Sequence, residues 1–265
     1  MPSLAIQFSN ALTVQARVIG AIMLRDMRTR FGRTHIGYII AVIWPLAHAG
    51  FILLGFTLAN RVAPIGGDPV IFVSTGIVPY IMCFYPSRMM TFSIEHNKAL
   101  LLFPIVRVYD IILARAILEF LTASLVFVIF STIVALAFNV DIRPISYVDA
   151  LFGVLASVYF GVCMGFVSTL LMSLAKIWNA LQIIIMLFMY MSAGVLFSPS
   201  LVSADVQEWL WYNPLLHCVE WLRSAYFEGY ANDFLSKPYV LGVSTLLLFI
   251  GLAGERFIRG KIMTS

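Results

Sequence analysis

Residues 34–60, THIGYIIAVIWPLAHAGFILLGFTLAN, decide the fold because these 27 consecutive residues contain no Lys, Arg, Asp or Glu. An α-helix needs about 20 mainly apolar residues to cross the hydrocarbon core of a bilayer. Membrane-spanning β-strands would alternate polar and apolar side chains at every second position, and this stretch does not. The segment therefore predicts a transmembrane helix.

Further uncharged intervals of similar length follow along the chain. Only 11% of the 265 residues are charged and 61% are hydrophobic, against about 25% and 45–50% in soluble domains. This composition excludes an ordinary soluble protein. We expect an all-α integral membrane protein, residues 1–265 forming one domain with six transmembrane helices. The other five intervals are 69–87, 120–140, 150–175, 177–204 and 238–254.

The distribution of basic residues predicts the orientation of these helices. Thirteen of the 17 Lys and Arg residues lie in the N-terminal segment, the 88–119 segment, Lys176 and the C-terminal segment. Cytoplasmic segments carry such an excess, so we expect both termini in the cytoplasm of a multi-pass protein. Because this rule accounts for the basic residues, no nucleic-acid partner is predicted.

The sequence predicts no nucleotide-binding, metal or cofactor site in this chain. No extramembrane stretch exceeds about 35 residues, which leaves no room for a nucleotide-binding domain. The segment from Gly254 to Lys261 differs from a phosphate-binding loop in its spacing, and Ile262 replaces the required Ser or Thr. His217 and Glu220 share a helix face but lack further ligands, so we predict no metal site. No cofactor is expected in this chain.

Residues 11–30 form an amphipathic pattern. Leu12, Ile19, Met23, Met27 and Phe31 fall in one arc of a helical wheel. Such a helix lies in the membrane interface with its basic side chains towards lipid phosphates. It would serve as a simple anchor or as a lever connected to the first span. The basic residues of the opposite face are Arg17, Arg25 and Arg28.

The segment between the second and third spans contains an apolar run where a solvated loop would be polar. Residues 100–103 are Leu-Leu-Leu-Phe, with Lys98 and Arg107 on either side, and Pro104 ends any helix there. An exposed apolar patch with a polar rim is typical of a docking surface. Partial burial in the membrane interface is the alternative.

Residues 200–236 contain three of the five tryptophans, as expected of an aromatic belt at the outer membrane surface. Asn213-Pro214 divides the segment, which predicts two short interfacial or re-entrant helices. Glu220 and Arg223 are three residues apart and are expected to pair, as are Arg115 and Glu119 at spacing four.

Polar and aromatic side chains in spans one, two and five predict a hydrated passage. Aromatic faces suit sugar rings, because the C–H surfaces of a sugar stack on them. Hydrogen bonding between packed helices is the alternative. His48 is isolated in sequence, and Ser157, Gly161 and Gly165 predict close helix packing within or between subunits. The passage residues are Tyr38, Trp44, Tyr80, Tyr85, Arg88, Gln182 and Tyr190.

Several motifs resemble a known family. LRDMRTRFGR at 24–33, followed by Gly37-Tyr38 and Trp44-Pro45, resembles permease subunits of type-2 ABC exporters. The motifs GIVPY at 76–80, NKALL at 97–101, FPIVR at 103–107 and YNPLLH at 212–217 are similar to the capsular-polysaccharide branch of that family.

The resemblance implies a homodimer of six-helix subunits with two copies of a separate ATPase, which binds ATP and Mg²⁺. It places a coupling helix, inserted into the ATPase, on residues 94–104, and the passage between spans one, two and five of the two copies. The coupling-helix residues that contact the ATPase would be Asn97, Lys98, Leu100, Leu101, Phe103 and Pro104.

The substrate implied by the resemblance is a lipid-linked capsular polysaccharide that crosses the bacterial inner membrane and passes to periplasmic and outer-membrane export proteins. Arg88, at the cytoplasmic mouth, would meet an anionic primer through a charge-assisted contact. The alternatives are a permease for O-antigen, teichoic acid or another lipid-linked glycan, an integral-membrane glycosyl or acyl transferase, and a structural scaffold.

Overall fold

The computed structural model describes residues 4–29, 36–59, 61–230 and 234–264. All regular structure in these ranges is helical, which confirms the predicted all-α class. Short 3₁₀ helices follow α4, at Lys98–Leu102, and α7, at Pro199–Leu201. The α-helices are α1 Leu4–Thr29, α2 Ile36–Leu58, α3 Pro69–Thr91, α4 Ser93–Asn97, α5 Val108–Phe138, α6 Tyr147–Leu174, α7 Trp178–Ser192, α8 Ala204–Trp211, α9 Pro214–Ser224 and α10 Lys237–Thr264.

Within the described ranges, five helices are long and apolar enough to cross a membrane: α2, α3, α5, α6 and α10. The sixth predicted span corresponds to α7, which has 15 residues and is therefore about 22 Å long. It stops short because Gly194 takes a positive φ of 71° two residues after Ser192, and a 3₁₀ turn follows. The structure thus supports five of the six predicted spans by length.

Helices α3 and α6 form the centre of the bundle, since most of the spanning part of each is buried. Their backbones approach closely at Gly161, where an added Cβ would lie 2.5 Å from the carbonyl oxygen of Cys83. Gly165 approaches Met90 in the same way, at 2.8 Å between the added Cβ and the Met90 Cβ. The small residues of α6 therefore pack within the subunit, which decides between the two alternatives that the sequence left open.

Helix α9 lies inside the bundle. All residues from Leu215 to Arg223 are buried, and the helix packs against α3, α6 and α10. The Asn213 side chain accepts a hydrogen bond from the Leu215 N–H at 2.9 Å and so caps this helix. Helix α8 is different, because Trp209 and Tyr212 are exposed. The segment therefore forms two short helices, as predicted, of which α9 is buried among the long helices.

Helix α1 packs on the start of α5 through Ile22, which is buried against Ile111 and Ala114. Leu12 and Met27, two members of the predicted apolar arc, are exposed. Ile19 and Met23, two other members of that arc, pack beside Ile22, so the buried face of α1 overlaps the predicted arc, and it also includes the charged residue Asp26. Arg30, Phe31 and His35 lie outside the described residues.

Candidate functional site

An aromatic cluster joins α2, α3 and α7. The rings of Tyr80 and Tyr190 lie 4.5 Å apart between centroids. His48 Nδ1 lies 3.1 Å from the hydroxyl of Tyr85, and its ring stands edge-on to Tyr80 at 5.8 Å. Three predicted passage residues therefore come together with His48, which the sequence analysis treated as isolated. A histidine and a tyrosine 37 positions apart give no sequence signal of this contact.

A polar cluster continues from the aromatic cluster towards the end of α3 that leads into α4. Gln182 of α7 is fully buried. Its Oε1 accepts hydrogen bonds from Thr91 Oγ1 at 2.8 Å and Arg88 Nη1 at 3.2 Å. Its Nε2 donates to Ser87 Oγ at 3.0 Å. Arg88 and Gln182, both predicted passage residues, are thus direct neighbours.

The two remaining predicted passage residues lie apart from these clusters. Trp44 is 67% exposed on α2. The Tyr38 hydroxyl lies 3.3 Å from Thr122 Oγ1, so Tyr38 faces α5. Within this subunit, the predicted set is therefore divided between three surfaces.

The connection between α4 and α5 exposes an apolar tip, which we define as residues 102–105. Leu102 is 84% exposed, Phe103 58% and Ile105 60%, and Pro104 is exposed as well. Leu102 and Phe103 belong to the predicted apolar run, and Phe103 and Pro104 are predicted coupling residues, whereas Ile105 was not predicted. The 3₁₀ turn at Lys98–Leu102 precedes the tip.

The other predicted coupling residues have different positions. Lys98 is exposed beside the tip. Leu100 and Leu101 are half-buried and pack on the α1–α5 contact. Asn97 is 1% exposed, so its side chain holds the loop in place and is not available to a partner.

A buried ion network, formed by Asp26, Arg115 and Glu119, lies next to the segment that carries the tip. Arg115 of α5 contacts Asp26 of α1 at 3.1 Å and Glu119 of its own helix at 3.0 Å, so the predicted Arg115–Glu119 pair is confirmed. Arg25 donates to Asn97 Oδ1 at 2.7 Å. Among the three arginines predicted to face lipid, Arg25 therefore contacts protein, because α4 lies against that side of α1. Arg17 and Arg28 are exposed.

The opposite end of the bundle contains a second buried ion pair. Arg223 contacts Glu220 at 3.3 Å, as the spacing predicts, and donates to the carbonyl oxygen of Gly194 at 3.0 Å. Tyr230 donates its hydroxyl hydrogen to the second oxygen of Glu220. Burial raises the pKa of the Glu220 carboxyl, and Arg223 opposes that shift.

His217 lies close to this pair in α9, and both of its ring nitrogens are engaged. Nε2 lies 2.8 Å from the carbonyl oxygen of Trp211, and Nδ1 accepts a hydrogen bond from the Ser236 N–H at 3.1 Å. Burial lowers the pKa of His217, although the hydrogen bond to Trp211 acts in the opposite direction. Among the described residues, no three His, Cys, Asp or Glu side chains are placed to hold a metal ion.

Comparison with known proteins gives relatives that match nearly the whole chain. The polysialic acid transport protein KpsM of Escherichia coli is 30% identical over 258 residues, 95% of this chain and 97% of the relative. The capsule polysaccharide export inner-membrane protein CtrC of Neisseria meningitidis serogroup B is 30% identical over 93% and 92%. BexB of Haemophilus influenzae, also named a capsule polysaccharide export inner-membrane protein, is 28% identical over 92% of each chain.

The family model described as ABC-2 type transporter matches residues 17–227. This range begins in α1 and ends just beyond α9, so it includes the aromatic cluster, the apolar tip and both buried ion pairs. The chain belongs to the ABC-2 type transporter family.

Proposed function

We propose that this chain is the membrane-spanning subunit of an ATP-driven exporter that moves a lipid-linked capsular polysaccharide across the bacterial inner membrane. The similarity to three transporters of polysialic acid or capsule polysaccharide over more than nine-tenths of the chain supports this substrate class. The five long apolar helices support the location in a membrane. A transferase is disfavoured, because the family is one of transporters.

The proposed topology has six passes with both termini in the cytoplasm. Helix α7 and the segment after it, up to the 3₁₀ turn at Pro199–Leu201, complete the fifth pass. The excess of Lys and Arg in the N-terminal segment, the 88–119 segment, Lys176 and the C-terminal segment, 13 of the 17 in the sequence, supports this orientation. The apolar tip then lies in the cytoplasm, and α8 lies at the periplasmic surface.

The observation that carries the proposal is the apolar tip at residues 102–105. Three large apolar side chains are more than half exposed there, and the buried ion network holds the loop that presents them. Such a surface is typical of a protein contact. We propose that it binds a separate ATPase, which holds ATP and Mg²⁺, and that two ATPases act on two copies of this chain.

The passage is proposed to form between the two copies, along the face where α2, α3 and α7 present the aromatic cluster. Tyrosine rings offer stacking surfaces to sugars and hydroxyl groups for hydrogen bonds. Exposed apolar residues of α7, such as Phe188 and Met191, are available for the second copy or for lipid. Periplasmic and outer-membrane export proteins would receive the polymer at the α8 end.

The test is deletion of the gene in its own bacterium, followed by complementation. We expect the deletion strain to lose surface capsule and to accumulate lipid-linked polymer inside the cell, and the intact gene to restore export. A strain whose ATPase partner cannot hydrolyse ATP should show the same accumulation. Normal surface capsule in the deletion strain contradicts the proposal, and loss of O-antigen or teichoic acid instead would assign a different glycan.

A further inference from the structure

Arg88 differs from three other buried or half-buried cations among the described residues. Arg115, Arg223 and Lys237 each contact a carboxylate. Arg88 is half-buried in α3, yet its hydrogen-bond partners in the described part of the chain are neutral: Gln182 Oε1 at 3.2 Å and the carbonyl oxygen of Asn179 at 3.4 Å. The ring of Phe92 covers one face of its guanidinium, at 4.9 Å from the centroid.

A charge without an opposite partner is costly inside a membrane protein, and such residues commonly mark a pathway for a substrate or an ion. The position of Arg88 is specifically stabilised, because Gln182, a fully buried side chain, accepts a hydrogen bond from its guanidinium. Thr91 and Ser87 fix both ends of the Gln182 amide. The cation is therefore preorganised, and part of it remains open to a ligand.

We propose that Arg88, positioned by Gln182, binds an oxyanion, a phosphate or carboxylate group, on a lipid-anchored molecule entering the passage. This site rests on the proposed function. Arg88 lies about one helical turn from Tyr85 on α3, so a lipid-anchored anion bound there would place its attached sugars beside the aromatic cluster. An arginine suits this task because its planar donors match both kinds of oxyanion.

Two sources of the oxyanion are distinguished by two probes. The purified full-length chain in phosphatidylcholine nanodiscs is titrated with dioctanoyl phosphatidic acid, which carries a phosphate headgroup without sugar. It is titrated separately with lipid-linked glycan extracted from the deletion strain. We expect Arg88→Gln to weaken binding about tenfold or more for the true source, and Arg88→Lys to keep part of the affinity.

Gln182→Glu tests the site without removing the cation. It supplies an internal carboxylate of nearly the same shape, which would neutralise Arg88 and compete with the ligand. We expect it to weaken binding about as much as Arg88→Gln. Arg256→Gln removes an exposed charge elsewhere and should leave binding unchanged. Equal melting temperatures would show that the variants are folded.

The outcomes separate the two proposals. If the Arg88→Gln and Gln182→Glu variants lose binding of the lipid-linked glycan alone, the ligand of Arg88 is the transported molecule. If they lose binding of phosphatidic acid as well, the ligand is the phosphate group of a lipid. Unchanged binding of both probes by Arg88→Gln and Gln182→Glu overturns the site, even if deletion of the gene abolishes capsule. If deletion leaves capsule intact, the proposed function fails, while the phosphatidic acid titration still decides the site.

Discussion

Arg115 of α5 contacts Asp26 of α1 with 3.1 Å between Nη1 and Oδ2, and both side chains are at most 5% exposed. This contact joins the N-terminal helix to a long apolar helix across 89 positions of sequence. Because Glu119 contacts the same guanidinium, one cation compensates two buried carboxylates. Arg115 therefore holds α1 together with the Arg25–Asn97 hydrogen bond and the packing of Ile22.

We expect Arg115→Met to destabilise the protein by about 3–5 kcal/mol, because the buried carboxylates of Asp26 and Glu119 would both lose the guanidinium that contacts them. The measurement is thermal unfolding of the detergent-solubilised protein, followed by tryptophan fluorescence. Arg143→Gln is the matched control, since its ion pair with Asp141 is largely exposed and contributes little. Equal melting temperatures for Arg115→Met and wild type would contradict the proposed importance of the network.

If the apolar tip binds the proposed ATPase, Leu102 and Phe103 should affect that contact and Leu101 should not. We expect Leu102→Asp combined with Phe103→Asp to reduce co-purification of the partner at least about tenfold, with the melting temperature unchanged, because both side chains point outward. Leu101→Asp should instead lower the melting temperature, since Leu101 packs on the α1–α5 contact.

Val62→Asp is the control for this prediction, because Val62 is 80% exposed at the other end of the bundle. It should leave co-purification unchanged. Undiminished recovery of the ATPase with the double variant at residues 102 and 103 would rule out the tip as the contact.

The close approach of α3 and α6 predicts a strong effect at Gly161. We expect Gly161→Ala to destabilise the protein by about 1–3 kcal/mol, because the new Cβ would meet the backbone of Cys83 at 2.5 Å and backbone cannot move aside easily. Gly242→Ala is the control, since no atom lies within 4 Å of its added Cβ. Chemical denaturation in mild detergent compares the two, and a stable Gly161→Ala protein would show that the helices are further apart.

His217 predicts a loss of stability in acid. Since burial lowers its pKa in the folded protein, the unfolded chain takes up a proton more readily as the pH falls through about 6.5. The contribution of neutral His217 is thus complete above that pH and decreases below it. Glu220 acts in the opposite direction, because its raised pKa favours the folded state on acidification.

The measurement is the melting temperature of wild type and His217→Gln between pH 7.5 and 5.5. We expect the variant to be less stable at pH 7.5 but to lose less stability on acidification, because a glutamine can donate to Trp211 without titrating. Parallel curves for the two proteins would refute the assignment to His217.

The uncharged intervals of the sequence predict the long helices well, because a lipid environment permits few charges and allows only long apolar segments to cross it. The length of α7 was not predictable in this way. The interval 177–204 is uncharged throughout, but the positive φ of Gly194 ends the helix early, and a charge count does not detect a backbone conformation.

Contacts between distant segments account for most of the remaining differences. Asn97 is polar and ends the short helix α4, so nothing in the sequence predicts that it is buried against Arg25. The same holds for His48 and Tyr85. Local spacing did predict the pairs Arg115–Glu119 and Glu220–Arg223, because residues three or four apart share a helix face.

The hydrogen bonds from Arg223 to the chain just after α7 restrict how α7 and α9 can move relative to each other. Its guanidinium contacts Glu220 and donates hydrogen bonds to the carbonyl oxygens of Gly194 and Val195, so the chain just after α7 is bound to α9. If the helices of the bundle move while these hydrogen bonds stay intact, α9 and this end of α7 must move together, so the bending point of such a motion lies elsewhere in the chain.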